Sequence, residues 1–486
     1  MRDKGPQPAA LVPEFSDDWH HALRRCGREV RDVVTRADAE LRADGIELPH
    51  RGDSLPLTPA AVSGKWARWF DVRCQSVFRG IELLVANLFG GDTRRVADFL
   101  RLTHSEQALL GLGPQRVDWA IVARPDVIIA DGRTCMIETN VTTSVGLLES
   151  GLLARILLGV PALAEVADRF GLCPLDPAEA LTETVAASIT EKMPAFVVVT
   201  DWRREMDDNV YLYRYLCRLL ERRGVRAEPA PVEDLDVRPD GVYLDNRRIG
   251  VLYRYFTTIA LRDPSTYSRY APLLDAVNDG RVRLFGGFEH KLYTPKLFLA
   301  LLSDEVHADP LPATVRQHVA SIVPWTRIVA ERWTSWGERR VDLMDFASRN
   351  REALVLKPDL GFGGDRVCVG AHNDQGTWDR LLSTALAAEE NWLLQEYVDG
   401  VPAELAFIID GEIQLRSARV DYGVFTVCRR FAGMARRNTT AQSGQTLTNL
   451  SRGGGLGPTL LPARSRSGRS AFAGSAPIIP AVPGRG

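Results

Sequence analysis

Three separated stretches carry side chains able to handle a polyphosphate. In the first, Leu354-Val355-Leu356-Lys357-Pro358 runs into Gly361-Phe362-Gly363-Gly364. A strand ending in lysine, followed by a loop with little side-chain bulk, lets backbone N–H groups approach a phosphate chain while the ammonium neutralises it. The spacing is neither G-x-x-x-x-G-K-[ST] nor the fingerprint in which a helix follows the glycines. The same residues would also make a tight glycine turn beside an incidental lysine. The second stretch is Ile137-Glu138-Thr139-Asn140, where alternation puts Glu138 and Asn140 on one face of a strand. Two hard oxygen donors suit Mg²⁺ when phosphates complete its shell, although a solvated strand end would read alike. The third, Gln395-Glu396-Tyr397-Val398, is a strand with a carboxylate in an apolar setting. Glu396 there either accepts from a ribose or adenine or simply faces water from a sheet edge.

These stretches need a frame. From about 14 to 112 the apolar residues recur at helical spacing, as in Val77, Ile81, Leu84 and Leu88. Two strand-like runs follow, Trp119 to Arg124 and Val127 to Ala130. Asp131-Gly132 then turns the chain into a returning strand, Thr134 to Glu138. Phe196 to Thr200 reads as a buried strand, Asp201 to Gly224 as a helix, and Val242 to Tyr253 as a hairpin leading into a core strand. Thr294-Pro295-Lys296 opens an apolar helix, Leu297 to Ser303. A helix over Thr377 to Glu389 separates the Lys357 strand from the Glu396 strand. Half of the residues from Ser451 to Gly486 are Gly, Pro or Ser and the five charges there are all Arg. Such a segment buries too little to offset its ordering cost and is expected to be a disordered tail.

Composition narrows the function. In 486 residues, 60 basic side chains nearly balance 62 acidic ones, which argues against a basic nucleic-acid surface over the whole chain. Seven scattered cysteines without a C-x-x-C pair suggest neither a disulfide framework nor a zinc site. Only six of the 60 basic residues are lysine, so Lys296 and Lys357 stand out. The N-terminus reads into Pro and acidic residues instead of an apolar signal. The most apolar stretch, Val141 to Val166, is broken by Glu149, Arg155 and Glu165. A cytoplasmic chain with no membrane span is expected.

In combination, Lys296, Lys357 with its glycine loop, and a glutamate-bearing strand 37 to 40 residues later resemble an ATP-grasp layout. From about Arg124 to Arg437 the chain is similar to the eukaryotic glutathione synthetase type, the circularly permuted branch, also represented by glutathionylspermidine synthase-like proteins. In that order the acidic strand precedes the nucleotide lysines. The resemblance implies an α/β (α+β) protein with five parts: an N-terminal helical region (1–115), metal- and substrate-binding strands of the core (116–195), a small α/β substrate domain (196–290), a nucleotide-binding region (291–450) and the tail (451–486).

It also implies roles. Lys296 and Lys357 would hold the phosphates of ATP. Gly361, Gly363 and Gly364 would form the loop over them, with Gln395, Glu396 and Tyr397 at the adenosine. Glu138 and Asn140 would ligate Mg²⁺. The family's third acidic ligand falls on Gly361, which leaves Asp359 as the nearest substitute. Arg124, Thr142, Thr143, Ser144, Arg254 and Arg437 would meet the substrate, and Arg124, Lys357 and Arg437 would act in catalysis. The activity implied is an ATP-dependent ligase that joins a small-molecule carboxylate, of an amino acid or small peptide, to an amine through an acyl phosphate, in a homodimer. The alternatives are an ATP-grasp kinase, a ligase using a carrier protein, and a degenerate, non-catalytic nucleotide-binding protein.

Overall fold

A computed structural model describes residues 7–43, 55–110, 118, 120–130, 132–146, 148–361, 364, 366–440, 448 and 454–462. At its centre lies a six-stranded antiparallel sheet in the order Gly455–Gly457, Arg430–Thr440, Glu412–Val427, Val122–Ala130 and Arg133–Val141. The strand Ala403–Ile409 also pairs with Glu412–Val427. The pleat sorts its residues. Arg124 opposite Asn140, Asp126 opposite Glu138, Gly423 opposite Asp126 and Asp421 opposite Arg437 share one face. Ala123, Val127, Met136, Tyr422, Val424 and Met434 are buried in the core behind the sheet.

That core is closed by the helix Gly64–Phe89, whose Trp66, Phe70, Val77, Ile81 and Leu84 recur at spacings of three, four and seven and are buried. Trp66 stacks on Phe70 at 5.1 Å between ring centroids, and both meet the edge of Phe431 on the sheet. Gly80 lets the helix Leu297–Ser303 lie close. A Cβ at Gly80 would stand 2.7 Å from Leu302 Cδ2.

Two smaller sheets flank the centre. One is parallel, ordered Arg283–Phe285, Val251–Arg254, Phe196–Asp201 and Arg226–Pro231, with the helices Arg203–Glu221 and Pro264–Asn278 packed on it. The other is antiparallel, ordered Thr326–Ile328, Trp392–Glu396, Leu354–Pro358 and Cys368–Val369, and it carries Lys357 and Glu396. Among the described residues no single helix is long and apolar enough to cross a membrane.

Two readings need correction. The runs on either side of Pro125 form one strand, Val122–Ala130, with a bulge between Asp126 and Val127. Proline cannot donate to a ladder, and an interior strand accommodates it beside such an irregularity. The expected disordered tail does not begin at Ser451. Residues 454–462 are described, and within them Gly455–Gly457 joins the central sheet edge. Thr459–Pro462 lies between Ala60–Ala61 and Leu172–Pro174, with Leu456, Leu460 and Leu461 buried. The short apolar run finds unpaired strand edges, which a compositional argument ignores. The rest of that expectation, 451–453 and 463–486, lies outside the described residues, as do Trp119, Asp131 and Gly363.

Candidate active site

The end of the strand Leu354–Pro358 delivers Lys357 against the acid strand. Its buried ammonium donates to Ile137 O and to Gln395 Oε1, both at 2.8 Å, and Gln395 Nε2 donates on to Thr326 Oγ1 at 3.0 Å. Burial brings the Lys357 pKa down to about 8 against the opposing pull of Glu138. Lys296 arrives from the start of the helix Leu297–Ser303. Its ammonium lies 3.0 Å from Glu138 Oε1 and donates to Gly361 O at 2.8 Å. Both lysines and Glu138 therefore meet, although they come from stretches far apart in the chain.

Asp359 is buried, and its Oδ1 accepts from Leu297 N–H at 2.8 Å. Burial pushes its pKa up to about 6 despite that hydrogen bond and the two lysines. One of its oxygens is thus committed to the start of a helix. Asn140 Nδ2 donates to Arg124 O at 3.3 Å across the paired strands. Among the described residues no three His, Cys, Asp or Glu side chains gather as a metal site. Glu138 and Asn140 supply two hard oxygen donors of the kind that suit a hard divalent cation.

Behind the lysines, Asp126 joins the two arginines singled out from the sequence. Arg124 Nε and Arg437 Nη2 each lie 3.1 Å from its carboxylate. Burial alone would raise the Asp126 pKa, but the guanidinium groups of Arg124 and Arg437 hold it below the usual carboxylate range. Arg437 also pairs with Asp421, which Thr448 reaches through its hydroxyl, and burial pushes Asp421 up to about 6. Gly423 makes room for Arg124, since a Cβ there would stand 2.8 Å from Arg124 Cδ. Sequence reasoning missed Asp126 and Asp421 as site residues. Alternation was the available signal, because Asp126 lies two residues beyond Arg124 on the same strand face.

Glu396 does not stand free. Arg133 Nη2 lies 3.0 Å from its carboxylate, and Trp325 N–H donates to it at 3.3 Å. Tyr397 N–H donates to Ala353 O at 2.7 Å. Gly364 adopts a positive φ of 73°, which suits a tight loop.

The remaining expected substrate residues lie apart from the lysines, around a small cleft between the central sheet and the parallel sheet, with room for about one water molecule. Thr142, Thr143 and Arg254 line it together with Gly286, Gly287 and His290. Thr143 and Ser144 donate through their hydroxyls to Arg254 O and Tyr255 O, and Ser144 N–H donates to Thr142 Oγ1 at 3.2 Å. Arg254 is buried, and its three nitrogens donate to Gly286 O and Phe256 O, each at 2.6 Å, and to Gly287 O at 3.4 Å. It holds the cleft wall in place.

No family model matches the chain. A protein of Frankia casuarinae named "Putative glutamate–cysteine ligase 2-2" is 26% identical over 485 residues, an alignment covering 91% of this chain. The chain spans 51% of that relative's length. A solved structure, the apo form of a glutathione synthetase-like effector from Globodera pallida, superposes with a TM-score of 0.54 at 12% identity. It covers 85% of this chain and 90% of its own. The likeness seen in the sequence thus extends to the fold.

Proposed function

We propose that the chain is an ATP-dependent carboxylate–amine ligase with a circularly permuted ATP-grasp fold, acting on an amino acid or small peptide. The observation that carries this reading is the meeting of Lys296 and Lys357 at the acid strand, through Glu138 at 3.0 Å and Ile137 O at 2.8 Å. Two ammonium groups beside a glycine-rich stretch fit a triphosphate, and the name of the Frankia relative supports amide chemistry.

Amide formation at neutral pH needs a leaving group better than hydroxide. Transfer of the terminal phosphoryl group to a carboxylate supplies one, and an amine then displaces phosphate from the acyl phosphate. The transferring group gathers negative charge, so the site must supply cations and fixed dipoles more than a strong base. Lys296 and Lys357 would bind the phosphate oxygens, and their present partners, Glu138 and Gln395, hold them in position beforehand. Glu138 and Asn140, with Asp359 as a third candidate, would hold magnesium, which would supply positive charge to the phosphates. Arg124 and Arg437, fixed by Asp126, would orient the acid, because guanidinium recognises carboxylate bidentately. Glu396 and Tyr397 would border the adenosine.

The test is release of ADP and phosphate from Mg²⁺-ATP with pools of amino acids, starting from L-glutamate and L-cysteine. Turnover that requires both a carboxylate and an amine supports the reading. Stable phosphorylation of one acceptor would replace it with a kinase. The glycine at 361, where the resembling family has an acid, favours a second reading, a nucleotide-binding protein without turnover. ATP binding without ADP release across the panel would establish that instead.

A further inference from the structure

The cleft beside Thr142 contains a group that the reading above leaves unused. His290 lies in the turn Glu289–Leu292, half-buried, with Nδ1 2.8 Å from Gly287 O. A carbonyl only accepts, so Nδ1 carries the proton, and Nε2 of the neutral ring is an acceptor. Burial, and the nearby charges of Arg254 and Lys291, hold the ring neutral by drawing its pKa well below the usual histidine value. Among the described residues nothing is hydrogen-bonded to Nε2. Arg254 shapes this arrangement, since its guanidinium grips the carbonyls of Gly286 and Gly287 that precede the histidine.

The chemistry of the walls points to one kind of ligand. Glu289 and Asp118 belong to the lining, the Asp118 carboxylate being held by Arg429 at 2.6 Å, and Ile121 and Val122 add an apolar side. The guanidinium in the wall has each nitrogen directed to a main-chain carbonyl, so it is poorly placed to take a carboxylate in bidentate fashion. The space admits a group about the size of a water molecule, which an amine head matches. The position is also suitable. Thr142 lies two residues beyond Asn140, and Val122 two before Arg124, on strands paired through Arg124 and Asn140. The cleft therefore opens roughly 7 Å along the strands from the residues proposed to orient the acid.

We infer that this cleft receives the amine substrate, with the substrate nitrogen donating a hydrogen bond to His290 Nε2. Naming the ligand as the amine of a ligation rests on the reading above, whereas the recognition itself needs no turnover. The full chain labelled with ¹⁵N-histidine is titrated with ethylamine and, separately, with sodium acetate at pH 7.5 without ATP. The His290 signal is identified by its loss in His290→Phe, or in His290→Gln if the first variant does not fold. Ethylamine should shift the Nε2 resonance saturably, acetate should not, and loss of the acceptor should weaken ethylamine binding roughly fivefold. No shift with ethylamine, or any saturable shift with acetate, overturns the inference. Failure of every pair in the ADP assay would remove the ligase reading and leave this measurement standing. ADP release that depends on an amine, with no response at Nε2, would remove only the inference.

Discussion

Ending the chain at residue 453 should cost it much of its stability, although the removed segment reads as a featureless tail. Residues 454–462 place Leu456, Leu460 and Leu461 at 1%, 0% and 4% exposure, each in a different hydrophobic cluster. Burying a leucine is worth about 1.5–3 kcal/mol, so the three together contribute roughly 5–9 kcal/mol. Compact denatured chains make that an upper figure. Main-chain bonds go too, among them Val62 N–H to Leu460 O at 2.8 Å and Ala60 N–H to Pro458 O at 3.0 Å. Domains are typically stable by about 5–15 kcal/mol, so the loss is a large share of the whole. Thermal unfolding of chains ending at 453 and at 462 is the direct comparison. The shorter should melt roughly 10 °C lower or fail to accumulate folded, taking about 2–4 °C per kcal/mol over a cooperative unit of 150–250 residues. Midpoints within about 2 °C of each other would refute the reasoning. A functional loss should accompany the structural one, because Leu456 pairs with Arg437 across the sheet edge.

Replacing Lys357 with alanine should weaken ATP binding by about ten- to a hundredfold, the worth of one charge-assisted contact, with unchanged circular dichroism. Unaltered affinity by calorimetry in a folded variant would exclude the lysine from the phosphates. Glu106 is buried between Lys291 and Arg262, each 2.8 Å away. Burial by itself would raise its pKa, but Lys291 and then Arg262 bring it down to about 2. Its contribution to stability is therefore complete above about pH 4.5 and is lost as the pH falls toward 2. Glu106→Gln should be less stable than the parent at pH 7, with the gap narrowing below pH 4.5, and a constant gap in denaturant titrations would contradict this. Gly286→Ala forces a residue at φ 92° and sets its Cβ 2.3 Å from Thr143 Oγ1. That change should abolish the ethylamine response at His290 while ATP binding persists, and an undisturbed response would show that the cleft wall is not where the structure puts it.

Much of the site was legible because it depends on local alternation and turn chemistry. Glu138 and Asn140 had to share a face, and Lys357 had to end a strand. Asp410 and Gly411, both with positive φ, form the turn between Ala403–Ile409 and Glu412–Val427. What escaped notice depends on tertiary partners. Pro125 seemed to divide two strands, yet a bulge beside it lets one strand continue. Arg254 looked like a substrate arginine, but only the fold reveals that three carbonyls occupy its nitrogens. Glycine and proline content could not reveal that Leu456, Leu460 and Leu461 are each buried in a hydrophobic cluster. Asp126 went unnoticed because its meaning lies in Arg437, more than 300 positions away.

The central sheet unites residues 122–141 with residues 403–457, and the parallel sheet between 196 and 285 belongs to the intervening chain. During synthesis the inner unit can mature while the outer sheet still waits for its partners to leave the ribosome. Arg124 and Asp126 are made more than 300 residues before the Arg437 they meet. The charged cluster therefore cannot assemble until residue 437 has been made, after the whole of the intervening parallel sheet.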